Sequence, residues 1–488
     1  MTETTIVTMI IFTFVFIPLI IAEIARRQSI PTVEDFFLYS QKMPLGYAFF
    51  TIYSTWFSSF AVFGSSATFY ESGPLYMTAF AWNILFAIFI FGISRRLWFY
   101  SRKGEYLTAT DFFDDIYGSK ALSLLITGIM LCFTVPYLEI QLFGGTFLIN
   151  IATNGAIPWK VALLLFYVIM IVYLWAGGIR SVAMTDVFYG ILVFFAMIVI
   201  GVILVSKVGG PAAMFNSLAE KDPQSVILGN APSKYFLWLT MFLIIPAGAI
   251  MSPPMWLRSY SIKKEKSFFI LPLLIAVATI GYIGSMLAGN AAKLLMPHAG
   301  DLNQVIPSLI VSHSHYILAA ILFCGLSAAS LSTTNSQLHA ISAIYTLDIH
   351  KRYFDKNASD KKLITITKWV LLIVSAITYL VIITSPTMIM KTGLLGLSGT
   401  AQLLVPTLGA FFWKRSNAQG AIAGLTIGVF LLLLLSSVCH MDVSFAGSIG
   451  LAFNTVLFIV IGLCKEPNRS TQYKITAYAK DFSAQRKF

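Results

Sequence analysis

AASLSTTNSQL, from Ala328 to Leu338, lies inside an apolar segment long enough to cross a bilayer. It carries five hydroxyls (Ser330, Ser332, Thr333, Thr334 and Ser336) with Asn335 and Gln337, and no charge among them. Lipid offers such groups no hydrogen-bond partner, so their oxygens face protein, water or an ion. A dense set of uncharged hard oxygens suits a monovalent cation that must bind and then leave. A transport protein is the first expectation.

Composition agrees. Of 488 residues, 57% are hydrophobic and only 11% charged, and the mean hydropathy is +0.80. A soluble domain carries about 25% charged residues. The fold class expected is an all-α membrane protein, with a single transporter domain over residues 1–465 and a cytoplasmic tail, 466–488, that is polar, basic and mobile. Cys132, Cys324, Cys439 and Cys464 all lie in or at the end of apolar runs and read as free thiols. Glu3 is the only charged side chain before the first apolar run, and Arg26 and Arg27 follow it. That run reads as a retained span and not as a cleaved signal.

Windows of about 20 apolar residues, matched to a hydrocarbon core of about 30 Å, give thirteen spans: 4–24, 44–72, 74–98, 120–152, 158–176, 182–206, 234–256, 267–290, 314–346, 362–384, 386–412, 418–439 and 442–464. With the N-terminus outside and the C-terminus inside, the inner segments hold 26 Lys and Arg. The outer segments hold only Lys160, Lys207, Lys221, Lys234, Lys293 and Lys391, and Lys368 lies within a span. This bias sets the topology. It also accounts for the net charge of +12 through topology and lipid-surface contact, with no nucleic acid as partner. A bacterial plasma membrane and a functional monomer are expected.

Two spans are interrupted. Span two contains STWFSSFAVFGSSATFYESG, Ser54 to Gly73, and span seven contains IPAGAIMSPP, Ile245 to Pro254. Small residues, Gly and Pro free backbone groups that neighbours, water or a ligand must then satisfy. Breaks at matching positions of two halves point to a transporter site. Spans 2–6 and 7–11 form two sets of five; five is odd, so the halves are inverted repeats.

On a helix, Ala329, Ser332 and Thr333 stand at i, i+3 and i+4 and share a face. Two hydroxyls and a carbonyl come from there, and an unwound span two adds carbonyls near Ser54 and Phe57. At 1.5 Å per residue, Ser54 lies roughly 14 Å from the inner end of its span and Ala329 roughly 20 Å from the outer end of its own, levels that agree within about a turn. Asn335, Ser336 and Asp186 fall nearer the inner face. Asp186 has two open readings: a second, shallower cation stop or exit relay, or a helix N-terminal carboxylate.

Three segments resemble the sodium:solute symporter family: GGIRSVAMTDVFYG (Gly177 to Gly190), AASLSTTNSQLHAISAIYTLDIHKRY (Ala328 to Tyr353) and FFWKRSNAQGAIAGLTIG (Phe411 to Gly428). The resemblance runs from about residue 5 to 465. It implies a leucine-transporter-like core and sodium-driven alternating access. It also implies a main sodium site on the carbonyls of Ser54, Phe57 and Ala329 and the hydroxyls of Ser332 and Thr333. A further sodium or exit site would use Asp186 with residues matching Ser332, Asn335 and Ser336; several family members have serine where this chain has Asn335.

The substrate pocket is expected at Trp56, Ser58 and Ser59, which flank the cation carbonyls, and at Glu139 and Gln141 in span four. A charge at the depth of Glu139 is costly; it binds a cationic group, carries a proton, or pairs with Arg258 or Lys391. Trp256 and Arg258 close the seventh span as an inner gate or as a topology anchor. The expected function is sodium-coupled symport of a small polar solute, an amino acid or small organic acid. A transporter-like membrane sensor acting with a partner protein is the alternative. No His/Asp/Glu constellation or phosphate loop supports an enzyme.

Overall fold

The computed structural model describes residues 3–141, 155, 157–228, 231–384 and 389–485. The long elements among the described residues are helices, and the only extended pairing among them is an isolated parallel bridge between Met43 and Ile262. Eleven helical stretches among those residues are long and apolar enough to cross a membrane. The figure differs from thirteen for two physical reasons. Phe60–Gly104 counts once at 45 residues, yet as one straight helix it would be about 68 Å long, more than twice a hydrocarbon core. The chain breaks within it at Gly73, where φ is +50° and a Cβ would lie 2.4 Å from the Ser225 carbonyl oxygen. Trp159–Lys207 is likewise two helices joined at Gly177 and Gly178, the latter with φ +55° and ψ −144°. Its first part, Trp159–Val172, is apolar but shorter than a full crossing. Span four begins as the helix Lys120–Glu139, and its expected continuation over 142–152 lies outside the described residues.

Both expected interruptions are present. The helix Leu45–Trp56 ends at Phe57, whose φ and ψ are −85° and 63°. The chain resumes as a π-helical turn over Phe60–Gly64 and then as Ser65–Ser72. Side chains meet the freed backbone groups. Ser58 Oγ accepts from the Phe60 amide at 3.2 Å, and Gln141 Oε1 accepts from the Ser59 amide at 3.1 Å. The helix Pro232–Met251 ends at Ser252, which is extended with ψ 146°, and Pro253–Ser261 follows. Ser252 precedes a proline, which disfavours its helical conformation, while Pro253 suits a first helical position.

Tyr316–Ala343 runs through the centre. Every residue from Leu322 to Ala343 is buried, as befits a stretch carrying ten polar side chains that lipid would leave unpaired. It packs against Trp159–Lys207 and Leu45–Trp56. Two connecting segments, 207–233 and 291–313, hold the short helices Pro211–Lys221 and Leu302–His313. The four cysteines are unpaired.

The tail departs from expectation. It is the helix Arg469–Gln485, docked through buried Ile475 and Phe482. Lys474 Nζ lies 2.6 Å from Asp115 Oδ1, and Lys103 pairs with Asp481. Arg95 and Arg96 stack over the Phe482 ring at 5.0 and 4.5 Å. Composition alone suggests mobility, but Ile475, Tyr478 and Phe482 recur at i, i+3 and i+7 and make one apolar face.

Candidate functional site

The last carbonyls of a helix have no intrahelical partner. At the end of Leu45–Trp56 two of them face the central helix: Thr333 Oγ1 lies 3.2 Å from the Thr55 carbonyl oxygen and 3.4 Å from that of Ser54. Ser332 Oγ is 2.8 Å from Ser54 Oγ and donates to Asp186 Oδ1 at 2.7 Å. Ser54, Phe57, Ala329, Ser332, Thr333 and Asp186 are all fully buried. Phe57 is the residue where the helix stops, its ring against Tyr53 (4.4 Å) and Tyr282 (5.2 Å). Ala329 stands one turn before Thr333. Ser54, Thr55, Ser332 and Thr333 therefore meet at one helix break, and their carbonyl and hydroxyl oxygens are of the hard, uncharged kind that a monovalent ion prefers.

Asp186 is not separate from this group, because Ser332 bonds to it directly. Thr51 Oγ1 donates to its other oxygen at 2.5 Å. Ser336 Oγ lies 3.0 Å from Thr55 Oγ1, and Asn335 is buried beside it in sequence. Arg258, from the second half of span seven, completes the network. Its Nε donates to Thr51 Oγ1 at 3.0 Å, its Nη2 donates to Thr55 Oγ1 at 2.8 Å and to Ser336 Oγ, and the guanidinium lies 3.8 Å from Asp186. The carboxylate partner of Arg258 is thus Asp186, and the pairing with Glu139 is not formed. Trp256 is buried, donates from Nε1 to the Met251 carbonyl at 3.2 Å, and packs on Phe112 and Phe113.

A cavity lies where the two breaks face each other. Thr55 and Trp56 line it from one break and Ala249, Ser252 and Met255 from the other; Thr134, Tyr137, Gln337 and Thr400 supply further polar groups. Its free volume is about 20 Å³, room for about one water. A solute enters only if these side chains move apart. Trp56 lines it as expected, held by a hydrogen bond from Nε1 to Asn83 Oδ1 (2.5 Å) and stacked on Phe86 at 4.4 Å.

The other expected pocket residues sit behind the wall. Ser58 bonds to the Tyr137 hydroxyl (3.1 Å), Ser59 to Ser330 (2.7 Å), and Gln141 braces the break through the Ser59 amide. Glu139 is half-buried and does not line the cavity. It follows Tyr137 by two residues, which on a helix is a rotation of about 200°, so a wall position at Tyr137 turns Glu139 to the far side. Among the described residues Glu139 makes no ion pair, with Lys391 or any other. Thr51, Thr55, Asn83 and Tyr137 escape a reading of sequence alone, and Gln337, noted there within the polar cluster, was not expected in the pocket. Thr51 and Thr55 are i, i+4 on one helix face, the one signal that would have found a pair of them.

Comparison with known proteins decides the family. The model of the sodium:solute symporter family matches residues 36–428. The chain belongs to the sodium:solute symporter family. It resembles the sodium/pantothenate symporter of Haemophilus influenzae, 26% identical over 96% of this chain and 98% of the relative. It also resembles the monocarboxylate transport permease protein of Rhizobium johnstonii, 23% identical over 83% and 82% of the two chains. In fold it matches a solved Na+-coupled sialic acid symporter in its substrate-bound outward-open state, with a TM-score of 0.81 and 20% identity over 95% of this chain and 99% of that one. The symporter family comprises sodium-coupled transporters with a leucine-transporter-like core, not enzymes. This member is a multi-pass membrane protein whose small-molecule solute and coupling sodium are those of a symporter.

Proposed function

We propose that this chain carries a small organic acid or amino acid into the cell together with sodium, by alternating access across a bacterial plasma membrane. It does so as a monomer of thirteen spans, with the N-terminus outside, the C-terminus in the cytoplasm, and spans 2–6 and 7–11 as inverted repeats. One observation carries the reading. The carbonyls of Ser54 and Thr55, exposed by the break in span two, meet the hydroxyl of Thr333, the Ser54 hydroxyl meets that of Ser332, and the same break opens onto the cavity. Sodium held by Ser54, Phe57, Ala329, Ser332 and Thr333 pins span two to span nine, and its departure inward loosens them.

The solute class follows from charge. No charged side chain among the described residues lines the cavity, so the carboxylate of a solute is balanced by the co-bound sodium and by the positive end of the Pro253–Ser261 helix. Pro253 and Pro254 have no amide hydrogen, which leaves hydrogen bonding to Thr134, Tyr137, Ser252, Gln337 and Thr400. The relatives named for pantothenate, monocarboxylates and sialic acid carry acids, in agreement. A panel of labelled amino acids, monocarboxylates, pantothenate and neutral sugars, offered to vesicles containing the purified protein under an inward sodium gradient, tests this. Accumulation confined to a neutral sugar contradicts the charge argument.

A further inference from the structure

The sodium coupling proposed above leaves open how many ions move per cycle, and the surroundings of Arg258 bear on that number. Asp186 is the one carboxylate in the buried polar network around Ser332, and the guanidinium of Arg258 lies 3.8 Å from it with both groups enclosed. A carboxylate and a guanidinium neutralise each other there. Removing either leaves a buried charge without its counter-ion, which is far more costly than the pair itself. Three hydroxyls around the pair are engaged by the arginine. Thr51 Oγ1, which donates to Asp186, receives Arg258 Nε; Thr55 Oγ1 and Ser336 Oγ receive Nη2.

We infer that Arg258 is a tethered cation occupying the place beside Asp186 that a second sodium would take, and that this chain accordingly binds a single sodium ion. A sodium ion on Asp186 would sit against the guanidinium, two positive charges sharing one carboxylate in a site that water does not reach. It would also have to take Thr51, Thr55 or Ser336 from Arg258 to add any hydroxyl of the arginine's own network to its shell. The oxygens left free of the arginine are those of the Ser54–Thr333 group, where the Ser332 and Ser54 hydroxyls also bond to Asp186. Arg258 belongs to the second half of broken span seven, so the side chain that excludes the second ion also ties that half-helix to spans two, six and nine.

Saturation binding of radioactive sodium to the purified transporter, without any solute, tests this directly. The wild type is expected to bind one ion per chain, Arg258→Gln two, and Arg258→Gln/Asp186→Asn one again. Two ions on the wild type, or one on an Arg258→Gln protein that melts as the wild type does, overturns the inference. Asp186→Asn gives an independent arm should Arg258→Gln not fold. The count stays at one if the arginine holds that place, whereas a fall from two to one shows Asp186 to be a sodium ligand beside an intact Arg258. No saturable sodium binding to the wild type would instead refute the sodium coupling itself.

Discussion

Thr333 and Ser332 carry the sodium assignment at the scale of single residues. Thr333→Ala removes the hydroxyl that meets the Ser54 and Thr55 carbonyls. The sodium concentration for half-maximal uptake is expected to rise at least about tenfold, equivalent to about 1.4 kcal/mol, while Thr333→Ser stays near the wild type. A sodium titration of uptake in which both Thr333→Ala and Ser332→Ala match the wild type removes the assignment. In the pocket, Gln337→Ala and Trp56→Ala should raise the solute KM by about tenfold or more, the order of a lost buried hydrogen bond or aromatic contact. Glu139→Gln should move it less than about twofold. An equal effect at Glu139 would put that carboxylate back into the pocket. The meeting of Ser332 and Thr333 with span two was legible because adjacent hydroxyls stand out against an apolar span. Glu139 was not, because counting residues from a helix end gives depth but not the side of the helix. The Arg258–Asp186 contact was equally hidden: it joins residues of different spans that no local pattern connects.

The two broken helices decide the site at the scale of elements. Span seven announced its break through Pro253 and Pro254, since a residue before proline avoids the helical region. Span two has no proline at its break, which is completed by Gln141 just beyond the end of the Lys120–Glu139 helix, so its position could be bracketed in the sequence but not fixed. Close packing holds the first half of span seven in place. A Cβ on Gly248 would lie 2.0 Å from the Leu397 carbonyl oxygen, and Thr400 Oγ1 donates to the Gly248 carbonyl at 2.9 Å. Gly248→Ala should therefore force the Pro232–Met251 and Ile389–Ala401 helices apart, at a cost of about 1–3 kcal/mol for overpacking. Thermal unfolding in detergent should show a lowered midpoint together with reduced uptake. An unchanged midpoint means that the helices approach less closely than described.

Over the whole molecule the all-helical membrane architecture was legible from hydropathy, while the docked tail was not, because average composition conceals a three-residue apolar stripe. The tail helix is held partly by Asp115. Burial alone would raise the Asp115 carboxyl, but hydrogen bonds from Lys474, Tyr106 and Tyr478 outweigh it and hold the group below its ordinary value. A carboxylate lowered in the docked state favours docking at all pH values above its free pKa, about 3.9, and loses that contribution as pH falls through the lowered value. Hydrogen exchange over 469–485, corrected for the intrinsic effect of pH, should stay slow from neutral pH to about 5 and quicken in stronger acid. In Asp115→Asn it should be fast throughout; exchange independent of Asp115 would show that the aromatic contacts alone hold the tail. The most direct measurement for the account as a whole is uptake of a labelled carboxylate solute into vesicles containing the purified protein. The account predicts accumulation that requires an inward sodium gradient, collapses with a sodium ionophore, and needs more sodium in Thr333→Ala. Uptake that is equally fast and concentrative when potassium or choline replaces sodium would contradict it.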